Sequence, residues 1–209
     1  MQPTSESVLI VPGIEGKTEL TVGVLADTHL PFRLKRLPGE IMDIFRGVDL
    51  ILHAGDVDQL ELLQPLAEMA PLYAVRGNLH FKPTELSHGG LDLPYDLRFS
   101  LAGHCVIVNH GGWPDFRTLA TDWFWEKILE PSRKRSNVRI ARRLLRMYPQ
   151  ADVIIFGHTH RPYQAWQAGT LLFNPGAVAP LRECRPSVGR LRLTPEGVTA
   201  EVISLDRPH

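Results

Sequence analysis

The stretch Leu20-Thr21-Val22-Gly23-Val24-Leu25-Ala26-Asp27-Thr28-His29 decides the fold, because an apolar run passes directly into polar residues. An uninterrupted run rich in valine and leucine is typical of a buried strand. Ligand sites of open α/β sheets lie beyond the carboxyl ends of the strands. Asp27 and His29 are therefore predicted to lie at a ligand site.

The same arrangement recurs along the chain. Further buried strands are predicted at residues 50–52, 72–75, 106–108, 153–156 and 171–173, and an edge strand or hairpin over 190–205. Helical patterns over 37–45 and 60–69 lie between the early strands, although Pro65 weakens the middle of the second. This alternation predicts one α/β layered domain over 19–209. Residues 1–18 are expected to form an N-terminal extension, with 8–11 as an extra strand.

The composition narrows the class of protein. The chain has 209 residues, of which 44% are hydrophobic and 22% charged, and its formal net charge is zero. No global field therefore favours nucleic acid or an anionic membrane. Two cysteines are too few for a disulfide scaffold, so a reducing compartment is the simpler interpretation. Because no signal peptide or run of about 20 apolar residues is found, we expect a cytoplasmic protein with no membrane partner.

Seven side chains that can bind a metal follow the predicted strands: Asp27, His29, Asp56, Asn78, His110, His158 and His160. Imidazole, carboxylate and amide oxygen suit Mn, Fe, Zn, Ni or Co, and no thiolate occurs among them. In an extended segment, side chains two residues apart point to the same side, which would bring Asp27 and His29 together. The same argument applies to His158 and His160. Asp56 is the natural bridging carboxylate, since each of its oxygens can bind one ion.

Each motif alone also has an ordinary explanation. Gly55-Asp56 and Gly77-Asn78 are turn signals, and an isolated His110 would more often be a histidine satisfied by its surroundings. All of them, in order and at strand ends, favour a metal site over a series of turns.

The motifs resemble those of the calcineurin-like metallophosphoesterase superfamily, and most closely its small bacterial and archaeal phosphodiesterase branch. The resemblance covers Leu20 to Leu205. It runs through Asp27-Thr28-His29, Gly55-Asp56, Gly77-Asn78, His110-Gly111 and Gly157-His158-Thr159-His160. It implies a four-layer α/β/β/α sandwich of two mixed β-sheets.

The resemblance also implies a role for each ligand. Asp27, His29 and His160 would hold one divalent ion. Asn78, His110 and His158 would hold a second, and Asp56 would bridge both. Manganese is the first expectation, with Ni, Fe, Zn or Co as alternatives. The implied activity is hydrolysis of a phosphate ester, most readily a phosphodiester, by a hydroxide that bridges the ions.

One position departs from the superfamily pattern. A histidine commonly follows the asparagine directly, but here Leu79 stands there and His80 comes one residue later. The small phosphodiesterase branch often lacks that histidine. His80 is therefore a candidate catalytic and substrate-binding residue, beside Asp56 and Asn78, that would protonate the leaving group.

An insertion at about 112–150 carries aromatic and then basic residues, including Trp113, Phe116, Arg139 and Arg143, with a helix predicted over 138–148. One interpretation is a substrate cap in which Trp113 and Phe116 contact substrate and the arginines contact phosphate. The other is an amphipathic helix with a solvated basic face and aromatics packed on the sheet or in a homodimer interface.

Two classes of function remain open from the sequence. The first is an enzyme acting on a phosphate-ester small molecule or nucleotide, or on nucleic acid if the basic segment binds it. The second is a protein-interaction scaffold on the same fold. All seven ligand positions carry a group that can bind metal, which favours the enzyme.

Overall fold

The computed structural model describes residues 8–77, 93–112, 134–181 and 184–206, and the side chains of its last helix from residue 137 onward. The strands are β1 Leu20–Leu25, β2 Leu50–His53, β3 Leu72–Ala74, β4 Asp96–Leu101, β5 His104–Asn109, β6 Val153–Ile155, β7 Tyr163–Gln167, β8 Thr170–Asn174, β9 Ser187–Thr194 and β10 Gly197–Ser204. The helices are α1 Glu40–Ile44, α2 Gln64–Ala67, which follows a 3₁₀ turn at Leu60–Leu63, and α3 Lys134–Met147.

Two mixed sheets of five strands form the centre of the structure. The first has the order β10-β9-β1-β2-β3, and the second has the order β4-β5-β6-β8-β7. The strands β1, β2 and β3 are parallel to one another, as are β5, β6 and β8, whereas β9, β10, β4 and β7 pair antiparallel with their neighbours. Both parallel sets therefore bring their carboxyl ends to one edge of their sheet.

The side chains of the central strands alternate between two different cores. Val22 and Val24 of β1 pack in the core between the sheets, whereas Leu25 packs with α1 and α2 on the outer face. In the second sheet, Phe173 belongs to the core between the sheets, and α3 covers the opposite face through a separate cluster. Because strand side chains alternate with a period of two, each sheet has apolar residues on both faces. The result is the expected α/β/β/α sandwich.

The short helices and the edge strands differ from the sequence prediction. Pro65 lies in the first turn of α2, where its missing N–H costs nothing, so the helix begins one residue before the proline and holds it at its start instead of in its middle. The strands β4 and β7 were not predicted. In β7, half-buried and exposed side chains alternate, so this strand lacks an apolar run. At residues 8–11, Leu9 forms one isolated parallel bridge with Phe99. Within the described ranges, no helix combines the length and the apolar character that crossing a membrane requires.

Replacing Phe173 with alanine tests the core between the sheets. Phe173 is fully buried, so we expect Phe173→Ala to lower the free energy of unfolding by about 3–5 kcal/mol. Trp166 lies on the adjacent strand and is 55% exposed, so Trp166→Ala should change that value by less than about 1 kcal/mol. Urea unfolding monitored by circular dichroism measures both. Equal effects of the two variants would contradict this description of the core.

Candidate metal centre

Six of the seven predicted ligands lie in the described residues, and each follows the carboxyl end of a parallel strand. Asp27 and His29 follow β1, and Asp56 follows β2 in the same sheet. From the other sheet, His110 follows β5, and His158 and His160 follow β6. Asn78 comes after β3 but lies outside the described residues, as do His80, Trp113 and Phe116.

Four of these side chains form a first compact group. The candidate ligand atoms of Asp27, His29, Asp56 and His160 all lie within 4.8 Å of one another, and all four residues are buried. The Nε2 atoms of His29 and His160 are 3.4 Å apart, and Asp27 Oδ1 lies 3.5 Å from His160 Nε2. Atoms bonded to one ion at about 2.0–2.2 Å are expected at separations of roughly this size.

A second group adjoins the first through Asp56. Its Oδ2 atom lies 3.6 Å from His29 Nε2 and 3.5 Å from His110 Nε2. The rings of His110 and His158 have their centroids 5.3 Å apart, in an edge-to-face arrangement. One carboxylate thus faces histidines from both sheets, which is the arrangement predicted for a bridging ligand.

The backbone at the ligands is unusual. Asp27, His29, Asp56, His158 and His160 all have positive φ angles, between 47° and 71°. Non-glycine residues adopt this left-handed conformation at a cost, and it clusters at functional sites. The expectation that Asp27 and His29 meet because their segment is extended is therefore wrong. Left-handed turns bring Asp27 and His29 into one group, and the backbone at His158 and His160 is likewise left-handed rather than extended.

Hydrogen bonds between loops hold these turns in place. In the first sheet, the Asp27 N–H donates to the Gly55 carbonyl at 2.9 Å, and the His29 N–H donates to the Asp56 carbonyl at 3.2 Å. Between the sheets, the His158 N–H donates to Asp27 Oδ2 at 3.1 Å. This last bond leaves the other carboxylate oxygen of Asp27 facing the first group.

Two glycines allow the loops to approach closely. A Cβ atom on Gly77 would lie 1.9 Å from Asp56 Oδ1 and 2.2 Å from the Asp56 backbone nitrogen. A Cβ atom on Gly55, whose φ is +94°, would lie 2.5 Å from the His110 ring. Only glycine leaves room for Asp56 and His110 at these two positions.

The hydrogen bonds of His110 fix its protonation. Its Nδ1 atom lies 2.8 Å from the Ala54 carbonyl, which can only accept, so Nδ1 carries the proton and donates it. The Nε2 atom then presents a lone pair, as a metal-binding histidine requires. Within the described residues, His110 Nε2 and Asp27 Oδ1 are buried atoms with no hydrogen-bond partner. Their positions fit a divalent cation, which would satisfy both atoms.

His53, for which the sequence predicted no role, supports the turn that carries Asp56. The Gly55 N–H donates to His53 Nδ1 at 3.1 Å, so the proton lies on Nε2, which donates to Thr28 Oγ1 at 3.2 Å. The Thr28 hydroxyl in turn donates to the Asp56 carbonyl at 3.4 Å. These two buried side chains thus connect the loops after β1 and β2.

A second carboxylate lies behind His29. Asp58 Oδ2 is 3.6 Å from His29 Nδ1, and Asp58 is buried. This separation is beyond a normal hydrogen bond, but it places a negative charge on the side of the ring opposite Asp56. Carboxylates in this position orient metal-binding histidines and raise their basicity.

A buried polar network joins α3 to the loop between His158 and His160. The Thr159 hydroxyl donates to Asn137 Oδ1 at 2.7 Å, and Asn174 Nδ2 donates to the Gly157 carbonyl at 2.8 Å. Thr159 stands between the two candidate ligands His158 and His160. Its hydroxyl is buried in this network, and residues distant in sequence complete it.

Burial controls the charge of the cluster. Burial, together with the charge of nearby Asp56, raises the pKa of Asp27 well above its usual value. Burial also lowers the pKa of His158 and of His160 to about 3, with His110 and His29 respectively as the next causes. His158 and His160 are therefore neutral at pH 7, which is the form that binds metal, and ionised carboxylates here favour a cation.

The geometry defines a site of the metal-binding class, made of buried histidines and carboxylates at the rim of two sheets. The profile of the calcineurin-like phosphoesterase superfamily domain matches residues 20–195, so the chain belongs to that superfamily. The chain is also 32% identical over 189 residues to a probable metallophosphoesterase of Methanothermobacter thermautotrophicus, covering 90% of this chain and 95% of that relative. Membership supports metal-dependent hydrolysis of phosphate esters.

Solved structures share the fold. Vacuolar protein sorting 29 of Cryptosporidium parvum superposes with a TM-score of 0.63 at 22% identity, covering 91% of this chain and 93% of that one. A structure described as a novel archaeal phosphodiesterase gives a TM-score of 0.58 at 18% identity, covering 89% of this chain and 100% of that one. At these identities the likeness shows the α/β/β/α architecture alone.

Replacing Gly77 with alanine tests the close approach at Asp56. The new Cβ would overlap the Asp56 side chain and backbone, so we expect Gly77→Ala to weaken Mn²⁺ binding by about 10-fold or more. Titration calorimetry on metal-stripped protein measures the change. Gly39→Ala is the matched control, because a Cβ there meets no atom within 4 Å. Equal metal affinities in the two variants would show that the approach is not required.

The lowered histidine pKa values predict how acid affects the metal-stripped protein. The unfolded chain takes up protons on histidine below pH about 6.5, whereas folded His158 stays neutral to a pKa of about 3. Stability from this residue is therefore present above pH 6.5 and lost as the pH falls. Asp27, whose pKa is raised, acts in the opposite sense.

We expect the free energy of unfolding to fall more steeply between pH 7 and pH 5 in the wild type than in His158→Ala. The difference should approach about 2 kcal/mol, and comparing the two proteins cancels the contribution of Asp27. Urea unfolding at the two pH values measures it. Parallel pH profiles would mean that His158 is not held neutral in the folded protein.

Proposed function

We propose that the protein is a phosphodiesterase that uses two divalent metal ions, one in each ligand group. The position of Asp56 carries this proposal, because its Oδ2 atom lies 3.6 Å from His29 Nε2 and 3.5 Å from His110 Nε2. A single carboxylate oxygen between histidines of two sheets suits two neighbouring ions better than one.

When bound, such ions would lower the pKa of a water molecule toward about 7 and neutralise charge on the phosphoryl oxygens. The chain's own residues hold and orient this arrangement. Asp27 and His160 would bind from one side and His110 and His158 from the other, with Asn78 proposed as a further ligand. Asp27, His110 and His160 are buried, which strengthens their attraction for a cation, since little water screens it.

Manganese is the proposed metal, with Ni, Fe, Zn or Co as alternatives. The described ligand set combines imidazole nitrogen with carboxylate oxygen and contains no sulfur, which suits these borderline ions. His80 is proposed to protonate the leaving group, with Trp113 and Phe116 as substrate contacts. We propose a phosphate-ester small molecule or nucleotide as substrate and the cytoplasm as the location.

A diester is proposed over a monoester on two grounds. The motif lacks a histidine directly after Asn78, as is often the case in the small phosphodiesterase branch that the sequence resembles. A structural relative is also described as an archaeal phosphodiesterase. A diester with a good leaving group depends least on that missing proton donor.

The alternative is a protein-interaction scaffold, since the fold is shared with vacuolar protein sorting 29. A scaffold has no need to keep strained turns or buried carboxylates. Here five ligand residues retain positive φ angles, and the pKa of Asp27 is raised by burial. The positive φ angles and the buried carboxylate lower the stability of the fold when no cation is bound, so their presence favours the enzyme over the scaffold.

Two substitutions test the proposal. We expect Asp56→Asn and His158→Ala each to lower kcat/KM for bis(p-nitrophenyl) phosphate by at least about 100-fold, because each removes a ligand. Metal-stripped protein would be assayed with Mn, Ni, Co, Zn and Mg added back. Calorimetry should find two bound ions in the wild type and weaker or fewer ions in Asp56→Asn.

His104→Ala and Asp43→Asn are matched controls outside the cluster. His104 Nε2 bonds the Thr194 carbonyl, and Asp43 pairs with Arg46 on the surface. Both should retain metal binding and turnover. Metal-stimulated turnover that stays at the wild-type level in Asp56→Asn and His158→Ala would refute the proposed site.

A further inference from the structure

His160 is a candidate ligand whose ring has no acceptor behind it. Metal-binding histidines usually donate their second ring N–H to a carboxylate or a backbone carbonyl, and that bond sets the orientation of the ring. His110 has such an acceptor in the Ala54 carbonyl, and Asp58 lies behind His29. The Nδ1 atom of His160 is buried and has no hydrogen-bond partner among the described residues. The orientation of this ring must therefore be set by the backbone that carries it.

The backbone at His160 adopts a conformation that needs support. Its φ angle is 56° and that of His158 is 71°, so both residues lie in the left-handed region. The two rings belong to different ligand groups, because His160 joins Asp27 and His29 whereas His158 pairs with His110. A small rotation of this one turn would therefore displace ligands in both groups.

Asn137 of α3 holds both neighbours of His160. Its Oδ1 atom accepts a hydrogen bond from the Thr159 hydroxyl at 2.7 Å, and its Nδ2 atom donates to the Arg161 carbonyl at 3.2 Å. Because a carbonyl can only accept, the orientation of the amide is fixed. The Arg161 N–H also donates to Thr159 Oγ1 at 3.4 Å. The residues on the two sides of the ligand are thus joined through one side chain.

The surroundings of Asn137 indicate that its amide serves this contact. Asn137 is only 2% exposed, and a buried amide costs free energy unless it is hydrogen-bonded. Asparagine is also a poor helix former, since its side chain competes with the backbone for hydrogen bonds. Besides the loop of the ligands, its Oδ1 atom lies 3.4 Å from Asn174 Nδ2, which donates to the Gly157 carbonyl at 2.8 Å. The bonds of this amide therefore all lead to the segment that carries His158 and His160.

We propose that Asn137 is a positioning residue, which fixes the turn at His160 through Thr159 and Arg161 in place of an acceptor behind the ring. This inference rests on the proposed metal centre, since it assigns how one of its ligands is held. It gives the insertion a role in metal binding, although none of the predicted ligands lies on α3.

Mn²⁺ binding to metal-stripped protein tests this role, because titration calorimetry does not depend on turnover. Asn137→Ala removes both bonds, and Thr159→Val removes the hydroxyl while keeping the shape of the side chain. We expect each to weaken Mn²⁺ binding by about 10-fold or more, as is typical when a group that orients a ligand is lost. Thr159→Ser keeps the hydroxyl and should bind Mn²⁺ as the wild type does.

Thr170→Val is the matched control, because it removes a buried hydrogen bond of the same length outside the cluster. The Thr170 hydroxyl donates to the Ala151 carbonyl at 2.7 Å, and Thr170 is buried. Both valine variants should lower the melting temperature of the metal-free protein by about 2–4 °C, as the loss of one buried hydrogen bond implies. Only Thr159→Val should also lose Mn²⁺ affinity. A residue that merely supported the fold would not separate the two measurements.

Three results would overturn the inference. They are an unchanged Mn²⁺ affinity in Asn137→Ala or in Thr159→Val, a loss in Thr159→Ser equal to that in Thr159→Val, and an equal loss in Thr170→Val. If Asn137→Ala does not fold, the three threonine variants decide the question. Tight binding by the wild type that the substitutions do not weaken refutes this inference alone. A wild type that binds none of Mn²⁺, Ni²⁺, Co²⁺ and Zn²⁺ refutes the proposed metal centre itself.

Discussion

The repulsion between Asp27 and Asp56 is the constraint on which the rest of the site depends. Both carboxylates are buried in one cluster, and burial together with this repulsion raises the pKa of Asp27. His158 and His160 give little relief, since both are held neutral. A divalent cation is the partner that would relieve the repulsion and also satisfy the unpaired atoms Asp27 Oδ1 and His110 Nε2. The folded chain thus holds a destabilised arrangement that cation binding would stabilise.

The two-sheet architecture stabilises the fold enough to hold this destabilised cluster in place. Rigid strands on both sides end at the cluster, and backbone bonds such as that from the His158 N–H to Asp27 Oδ2 join the sheets directly at the ligands. Left-handed backbone costs free energy at five of the ligands. The core between the sheets and the hydrogen bonds between the loops hold these turns in place. Gly77 and Gly55 are part of the same solution, because they let the loops pack against Asp56 and His110 without a side chain between them.

The features predicted correctly from the sequence are those that short stretches of residues encode. Apolar runs identified the buried parallel strands, and the polar residues after them identified the ligands that the structure brings together. The edge strand β7 escaped prediction because its side chains are only partly buried and so follow no apolar run. The left-handed turns at Asp27 and His29 were not predicted, because aspartate and histidine adopt this conformation more often than most residues but still only in a small minority of cases. The supporting roles of His53, Asp58 and Asn137 depend on partners brought close only by folding.

The helix α3 shows how an insertion can become part of a site without supplying a metal ligand. The sequence left its arginines undecided between a solvated face and a substrate cap; in the structure Arg139, Arg142 and Arg146 are exposed, whereas Arg143 bonds the Gly111 carbonyl. Because Asn137 bonds Thr159 and Arg143 bonds Gly111, the helix and the ligand loops form one hydrogen-bonded unit. A change in the packing of Ile140 or Leu144 beneath the helix would therefore move the rim and the ligands His110 and His158 together. The packing of α3 and the geometry of the ligands His110 and His158 are therefore mechanically coupled.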